Sequence, residues 1–179
     1  VADFFVFGEV WSYDYRAINR YVRQGRAARL DAAIDLPLNE ALGQVFFRKA
    51  ATENLRGALE APRKEGNLWV NFLDNHDVER MAARANQASV RQSLVALFTL
   101  PGIPCVTYGS EAGLTGSRQN MFDNGFFDPD RQEARWLKEL IAFRKKHPAL
   151  ARGKCRVERT SLACGVLAYT VSAGPDAYT

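Results

Sequence analysis

The sequence predicts an α/β fold of four strand–helix repeats, followed by a short antiparallel β region. Short apolar runs of the kind found in buried parallel strands recur along residues 2–150. Between them lie longer segments whose apolar residues recur at the three- and four-residue spacing of a helix. After residue 150 the helical spacing gives way to two strand-like runs separated by a turn.

The first repeat joins a predicted strand at Ala2–Val10 to a predicted helix at Tyr15–Arg29. The strand is short and mostly apolar, as in parallel sheets that are covered on both faces. Within the helix, Ile18 and Val22 lie four residues apart and would share one face. Because the chain opens inside strand-like residues, we expect it to be a fragment of a longer protein.

The second repeat joins a strand at Ala32–Leu36 to a helix that begins near Asn39. Pro37 ends the strand, and Asn is a residue type that caps the N-termini of helices. An apolar stripe over residues 42–46 follows at helical spacing. The helical pattern then continues, with a break, to Leu59.

The third and fourth repeats have predicted strands at Leu68–Leu73 and Ile103–Tyr108, and predicted helices at Ala88–Leu100 and Glu133–His147. The first of these helices is followed directly by Pro and Gly, which stop it. Residues 109–129 show no clear period and include four glycines. A loop of this length in a compact domain is usually functional or mobile.

Four such repeats fit half of an eight-stranded (β/α)8 barrel or a small open parallel sheet, and the periodicity does not choose between them. We assign residues 1–150 to this α/β domain. Residues 151–179 form the predicted start of a β domain, with strands at Val157–Leu162 and Gly165–Val171. No glycine-rich phosphate loop follows a strand, which argues against a nucleotide-binding domain.

Composition excludes several classes of protein. The 179 residues are 47% hydrophobic and 25% charged, as in globular proteins. The net charge is +4, but the 24 basic residues are interspersed with 20 acidic ones, so no nucleic-acid partner is predicted. The longest apolar stretch is too short to cross a membrane. The three cysteines form no disulfide framework, which favours the cytoplasm, although the sequence does not determine the compartment.

Carboxylates follow three of the four predicted strands, at Glu9, Asp77 and Glu111. Parallel α/β folds place their functional sites at the carboxyl edge of the sheet, so we expect these groups to gather there. Glu9, if desolvated beside Phe5 and Trp11, could act as a general acid, while a second carboxylate in polar surroundings stays ionised. Paired carboxylates beside an aromatic platform suit the cleavage of a glycosidic bond.

Four segments resemble the α-amylase family of glycoside hydrolases. They are Gly8–Trp11, Ala33–Leu38, Phe72–Asp77 and Pro101–Gly113. In this order they resemble the fifth, sixth, seventh and eighth barrel strands of the family, each with the residues that follow it. The resemblance implies that the chain holds strands 5–8 of a (β/α)8 barrel, and then the start of the C-terminal β domain.

The resemblance also implies roles for individual residues. Glu9 matches the general acid/base, which protonates the glycosidic oxygen. Asp77 matches the carboxylate that binds sugar hydroxyls in the −1 subsite, and His76 matches a hydrogen-bonding partner of the same sugar. Asn75 would hold these two residues in position without contacting the sugar itself. Trp11 would stack on a sugar ring on the acceptor side.

The implied substrate is an α-1,4-glucan or maltooligosaccharide, and Arg118 would line its donor side. The family's nucleophile is an Asp at the end of the fourth strand, two residues after an Arg. Residues 29–31 have this spacing but precede a strand, so they cannot take the role. The family's calcium ligands also lie mostly in the other half of the barrel, so no cofactor is expected in this chain.

We therefore expect a retaining, α-glucan-active hydrolase that is present here without its nucleophile and is inactive alone. An α-glucan transglycosylase remains open, because hydrolysis and transfer use the same residues. A non-catalytic half-barrel that binds α-glucan or assembles with itself also remains open. Its open sheet edges, near Phe5 and Val106, could pair with another copy or with a missing N-terminal half.

Overall fold

A computed structural model describes residues 4–22, 30–61, 68–120, 122 and 128–179. Within these ranges, four parallel strands form one sheet and three antiparallel strands form a second. None of the described helices is long and apolar enough to cross a membrane.

The parallel sheet contains the four strands in chain order, each hydrogen-bonded to the next. They are β1 (Phe7–Gly8), β2 (Ala32–Ile34), β3 (Leu68–Asn71) and β4 (Ile103–Pro104). Because all four run in the same direction, their carboxyl ends meet at one edge of the sheet. This confirms the predicted parallel arrangement, although every strand is shorter than predicted. β1 and β4, the two shortest, are the edge strands of the described sheet.

Helical segments alternate with these strands. They are α1 (Tyr15–Ile18), α2 (Leu36–Leu42), α3 (Asn54–Leu59), α4 (Met81–Arg84), α5 (Gln87–Thr99), α6 (Gln132–Lys146) and α7 (Ala149–Arg152). A π-helical stretch, Gly43–Phe47, continues α2 directly. The described residues of the predicted loop 109–129 form neither helix nor strand. Residues 121 and 123–127 of this loop lie outside the described part of the chain.

The predicted first helix is wrong in length. α1 ends at Ile18, and Val22 forms an isolated parallel bridge with Leu30 instead of a further helical turn. Both apolar side chains of the predicted stripe are buried, so their spacing correctly indicated burial but not the helix itself. Residues 23–29 of that prediction lie outside the described part of the chain.

The second helix begins earlier than predicted, and its cap is Asp35 instead of Asn39. The Asp35 carboxylate accepts a hydrogen bond from the Leu38 backbone N–H at 2.9 Å. Pro37 lies in the first turn. Backbone N–H groups there have no acceptor within the helix, so the N–H that Pro lacks removes no helical hydrogen bond. Asn39 is buried one turn further along, and its side-chain amide is used in a tertiary contact.

That contact joins α2 to the end of β3. The Asn39 amide donates to the backbone carbonyls of Phe72 and Leu73, at 3.1 and 2.9 Å. We expect Asn39→Ala to lower the free energy of unfolding by about 1–3 kcal/mol, because two buried carbonyls lose their donor. Denaturant unfolding, followed by circular dichroism, measures this loss.

The matched control is Asn54→Ala. Asn54 is exposed, and its amide donates to the Gln44 side chain at 3.0 Å. A surface change of this kind should alter the free energy of unfolding by no more than about 0.5 kcal/mol. Equal losses for the two variants would show that the buried contact of Asn39 adds nothing to stability.

The second sheet packs against helices α3 and α7. It contains β5 (Lys154–Arg159), β6 (Ala168–Ala173) and β7 (Asp176–Tyr178), all antiparallel. Val157 of β5 joins the main hydrophobic core, which is otherwise formed by residues from α2 to α6. The two predicted strands are present but displaced, and β7 was not predicted. Leu162, predicted in a strand, lies exposed in the connection between β5 and β6.

A polar contact also holds this sheet in place. The Thr52 hydroxyl donates to the Val166 carbonyl at 2.6 Å and accepts from the Ser161 backbone N–H at 2.7 Å. The Thr160 hydroxyl donates to the Glu53 carboxylate next to it. The connection between β5 and β6 is thereby anchored to the segment that leads into α3.

Candidate active site

The predicted site residues follow three strands of the parallel sheet. Glu9 follows β1 directly, Asn75–Asp77 lies in the loop after β3, and Arg118 lies in the loop after β4. The parallel strand order places these three loops at one edge of the sheet. The predicted site residues therefore lie in loops at the same edge of the described sheet.

Asp77 is the centre of the contacts at this edge. Its Oδ2 lies 3.1 Å from Nε2 of His76, and its Oδ1 lies 3.3 Å from a terminal guanidinium nitrogen of Arg118. The Arg118 contact joins residues 41 positions apart in the chain. The Asp77 side chain nevertheless keeps 38% of its surface exposed, so a ligand can still reach the carboxylate.

A tight turn built on Asn75 holds Asp77 in this position. The side-chain oxygen of Asn75 accepts hydrogen bonds from the backbone N–H groups of Asp77 and Val78, at 2.9 and 3.0 Å. This is the local bonding that Asn favours in turns. Beside it lies a cleft of about 300 Å³, lined in part by His76, Asp77 and Ser117.

Beneath this turn lies an ion pair that sequence analysis does not single out. Nε of the buried Arg80 donates to Oδ2 of Asp74 at 3.2 Å, and the Met81 backbone N–H donates to the same oxygen at 2.8 Å. The Arg80 guanidinium also donates to the Tyr108 carbonyl and the Ser110 hydroxyl, at 2.9 and 3.1 Å. The loops after β3 and β4 are therefore joined through one buried guanidinium group. A single Arg in a polar loop carries no sequence signal of such burial.

Glu9 and Trp11 lie on the same edge but in different surroundings from those predicted. Glu9 is exposed, and Phe5 and Trp11 expose 44% and 56% of their surfaces. The predicted desolvation of Glu9 is therefore wrong for the described residues. The physical reason is that β1 is an edge strand, so nothing described covers its outer side. The Trp11 ring is uncovered by the described residues.

The protein-family model described as "Alpha amylase, catalytic domain" matches residues 1–151 of this chain. The chain belongs to the α-amylase family. Two curated relatives of this chain are named as different enzymes. An α-amylase of Streptomyces lividans is 29% identical over 94% of this chain and 22% of its own length. A cyclomaltodextrin glucanotransferase of Paenibacillus macerans is 30% identical over 67% of this chain and 18% of its own length. The chain thus spans about a fifth of the length of these two curated relatives.

Solved structures of the α-amylase family show the same fold. The α-amylase of Geobacillus thermoleovorans, solved with acarbose, superposes with a TM-score of 0.83 at 29% identity. The match covers 99% of this chain and 41% of that one. The four parallel strands therefore fit part of a (β/α)8 barrel, and the three antiparallel strands fit the β domain that follows it. The barrel is one of the two architectures that the repeats fit, and it is the one that the family resemblance implies.

Proposed function

We propose that this chain belongs to the catalytic machinery of a retaining α-glucan hydrolase that cleaves α-1,4-glucosidic bonds. The observation that carries the proposal is the position of Asp77 between His76 and Arg118, at the strand edge that also bears Glu9. Membership of the α-amylase family supports the reaction class. The relatives named as α-amylases support α-glucan as the substrate.

In the proposed reaction, Glu9 protonates the glycosidic oxygen as the bond breaks and then takes a proton from the attacking water. Asp77 accepts hydrogen bonds from hydroxyls of the sugar in the −1 subsite, most strongly when the ring distorts towards the oxocarbenium-like state. His76 donates to the same sugar. Asn75 preserves the turn that presents Asp77, and Trp11 stacks on a sugar of the acceptor side.

Arg118 completes the proposed site from the loop after β4. Its guanidinium holds one oxygen of Asp77, which fixes the orientation of the carboxylate towards the substrate. Because 72% of the Arg118 side chain is exposed, its other donors are available to hydroxyls on the donor side.

Retention also requires a carboxylate nucleophile, roughly 5–5.5 Å from the acid and on the other face of the sugar. Asp31 does not fit, because it precedes β2 and its carboxylate accepts a hydrogen bond from the Val6 backbone N–H at 2.8 Å. We therefore assign the nucleophile to a part of the protein outside residues 1–179, so that these residues alone do not turn over substrate.

Calcium is implied by the family, with ligands that lie mostly in the other half of the barrel. The described residues contain no group of three or more His, Cys, Asp or Glu side chains that could hold a metal ion. The proposal assigns no metal ligand to this chain, and no step of the proposed reaction passes through a metal.

A transglycosylase is the second candidate, because the Paenibacillus macerans relative is named as a glucanotransferase. Transfer uses the same acid/base and differs only in whether water or a sugar hydroxyl attacks the intermediate.

A binding or assembly role is the third candidate function, supported by the exposed apolar edge at β1. Phe4 and Phe7 expose 72% and 52% of their surfaces there. Such an edge suits pairing with a further strand, from another copy or from the N-terminal half of a barrel.

The test uses the full-length protein with an α-1,4-linked maltooligosaccharide. We expect the first product to have the α configuration by NMR, and Asp77→Asn to lower kcat by at least about 100-fold, because the sugar in the transition state loses a charged acceptor. The matched control, Asp176→Asn, changes an exposed Asp of β7 and should leave kcat unchanged. A β-configured first product, or nearly unchanged turnover with Asp77→Asn, would contradict the proposal.

A further inference from the structure

Arg118 lies in a surface turn whose own hydrogen bonds do not fix it relative to Asp77. Within residues 116–119, the Gly116 backbone N–H donates to the side-chain oxygen of Gln119 at 3.3 Å. The Gln119 backbone N–H donates to the Gly116 carbonyl, also at 3.3 Å. These two bonds close the turn on itself. The distance from Arg118 to Asp77 therefore depends on what holds the turn against the loop after β3.

Tyr108 holds this turn from the end of β4. Its hydroxyl donates to the backbone carbonyl of Gln119 at 3.0 Å. Gln119 is the residue next to Arg118, so the bond fixes the turn one residue away from the side chain that contacts Asp77. Because the Tyr ring is rigid, the position of its backbone and ring sets the position of its hydroxyl.

The backbone and ring of Tyr108 are in turn held by Arg80. The Arg80 guanidinium donates to the Tyr108 carbonyl at 2.9 Å, and its central carbon lies over the Tyr108 ring, 5.9 Å from the ring centroid. A cation within about 6 Å of an aromatic centroid is attracted to the face of the ring. The same guanidinium is fully buried and paired with Asp74. Tyr108 is therefore attached to a fixed group inside the protein.

These contacts form a closed path between two loops. Arg80 belongs to the loop after β3, as Asp77 does, and it holds Tyr108 of the loop after β4. Tyr108 holds the turn, and Arg118 of that turn contacts Asp77. The contact between Arg118 and Asp77 is exposed, and such a pair is weak when both side chains must be ordered for it alone. A turn that is already in place lowers the entropy lost in forming the pair.

We propose that Tyr108 is a positioning residue for the proposed reaction. Its hydroxyl places Arg118, and Arg118 then orients the carboxylate of Asp77 towards the sugar. Tyr108 acts through Arg118 and not by contact with the substrate. This inference rests on the proposed function, in which Asp77 binds the distorted sugar most strongly. Loss of the Tyr108 hydroxyl should therefore affect kcat more than KM.

The experiment is a double-mutant cycle in the full-length protein, with kcat and KM measured on an α-1,4-linked maltooligosaccharide. Tyr108→Phe removes the hydroxyl but keeps the carbonyl and the ring that contact Arg80. We expect kcat to fall about three- to tenfold, since one hydrogen bond is lost, and KM to stay within about twofold of wild type. In an Arg118→Met background the same substitution should leave kcat unchanged, because no guanidinium remains to be placed.

Two controls separate positioning from a general effect on structure. Tyr21→Phe removes a hydroxyl from a Tyr of similar exposure, 56% against 46% for Tyr108. Tyr21 lies between α1 and the amino end of β2, so this variant should keep the kcat of wild type. The midpoint of urea unfolding should be close to that of wild type for Tyr108→Phe, because its contacts with the buried guanidinium are retained.

The outcomes distinguish this inference from the proposed function. If Tyr108→Phe lowers kcat by the same factor with and without Arg118, Tyr108 does not act through Arg118, and the positioning role is wrong. The same conclusion follows if Tyr108→Phe leaves kcat unchanged, or raises KM as much as it lowers kcat. In each of these cases the wild type still cleaves α-glucan and the proposed function stands. If the wild type acts on no α-glucan, the proposed function fails, and the positioning role fails as well.

Discussion

Replacing Glu9 by Gln in the full-length protein should lower turnover of α-1,4-glucan by about 10²–10⁴-fold and leave substrate binding in place. Gln has nearly the same volume and can still bond to the substrate, but it carries no proton to donate to the leaving oxygen. Because Glu9 is exposed and its side chain makes no hydrogen bond to the described residues, the substitution should not disturb the fold.

Two measurements distinguish loss of the acid from general damage. Calorimetry should give a similar Kd for maltooligosaccharide with wild type and variant. An aryl glycoside whose leaving group needs little protonation should be cleaved with a much smaller loss than a natural glucan. Glu139→Gln, an exposed change on α6, serves as the control. A loss of equal size on both substrates would remove Glu9 from the role of acid.

Replacing Arg80 by Met should lower the free energy of unfolding by about 3–5 kcal/mol, because the Asp74 carboxylate would stay buried without its cation. The side chains of Arg80 and Asp74 are 0% and 3% exposed, and their atoms lie 3.2 Å apart. The variant also loses the bonds from the guanidinium to the loop after β4, at Tyr108 and Ser110. Urea unfolding at neutral pH measures the effect.

The chain contains a matched control for this ion pair. Arg118 and Asp77 lie at nearly the same separation, 3.3 Å, but their side chains are 72% and 38% exposed. Arg118→Met should therefore lower the free energy of unfolding by only about 0–1 kcal/mol, since solvent screens the pair. Adding Asp74→Asn to Arg80→Met should recover part of the loss by removing the buried charge. Similar losses for the two single variants would contradict the dependence on burial.

The prediction of the fold succeeded where local pattern and tertiary environment agree. The strands β2 and β3 are central in the described sheet, so their apolar runs are long enough to be recognised. The prediction was wrong where the same spacing of buried residues fits both a helix and another structure. Ile18 and Val22 lie four residues apart and are both buried, but Val22 reaches the core through a bridge to Leu30. Asn39 could cap a helix, yet its amide bonds to carbonyls in the loop after β3.

By itself, the sequence determined the family and the order of the strands. The four segments that resemble the family occur in the family's order, and this order does not depend on where each strand or helix ends. It also identified the loops that carry Glu9 and Asp77. The tertiary structure alone decided that Asp77 meets Arg118 across 41 positions, that Arg80 is buried and that Glu9 is exposed. The physical reason is that residue spacing reports which face of one element is buried. Contacts between loops depend on how separate strands converge at an edge, and no local spacing records that convergence.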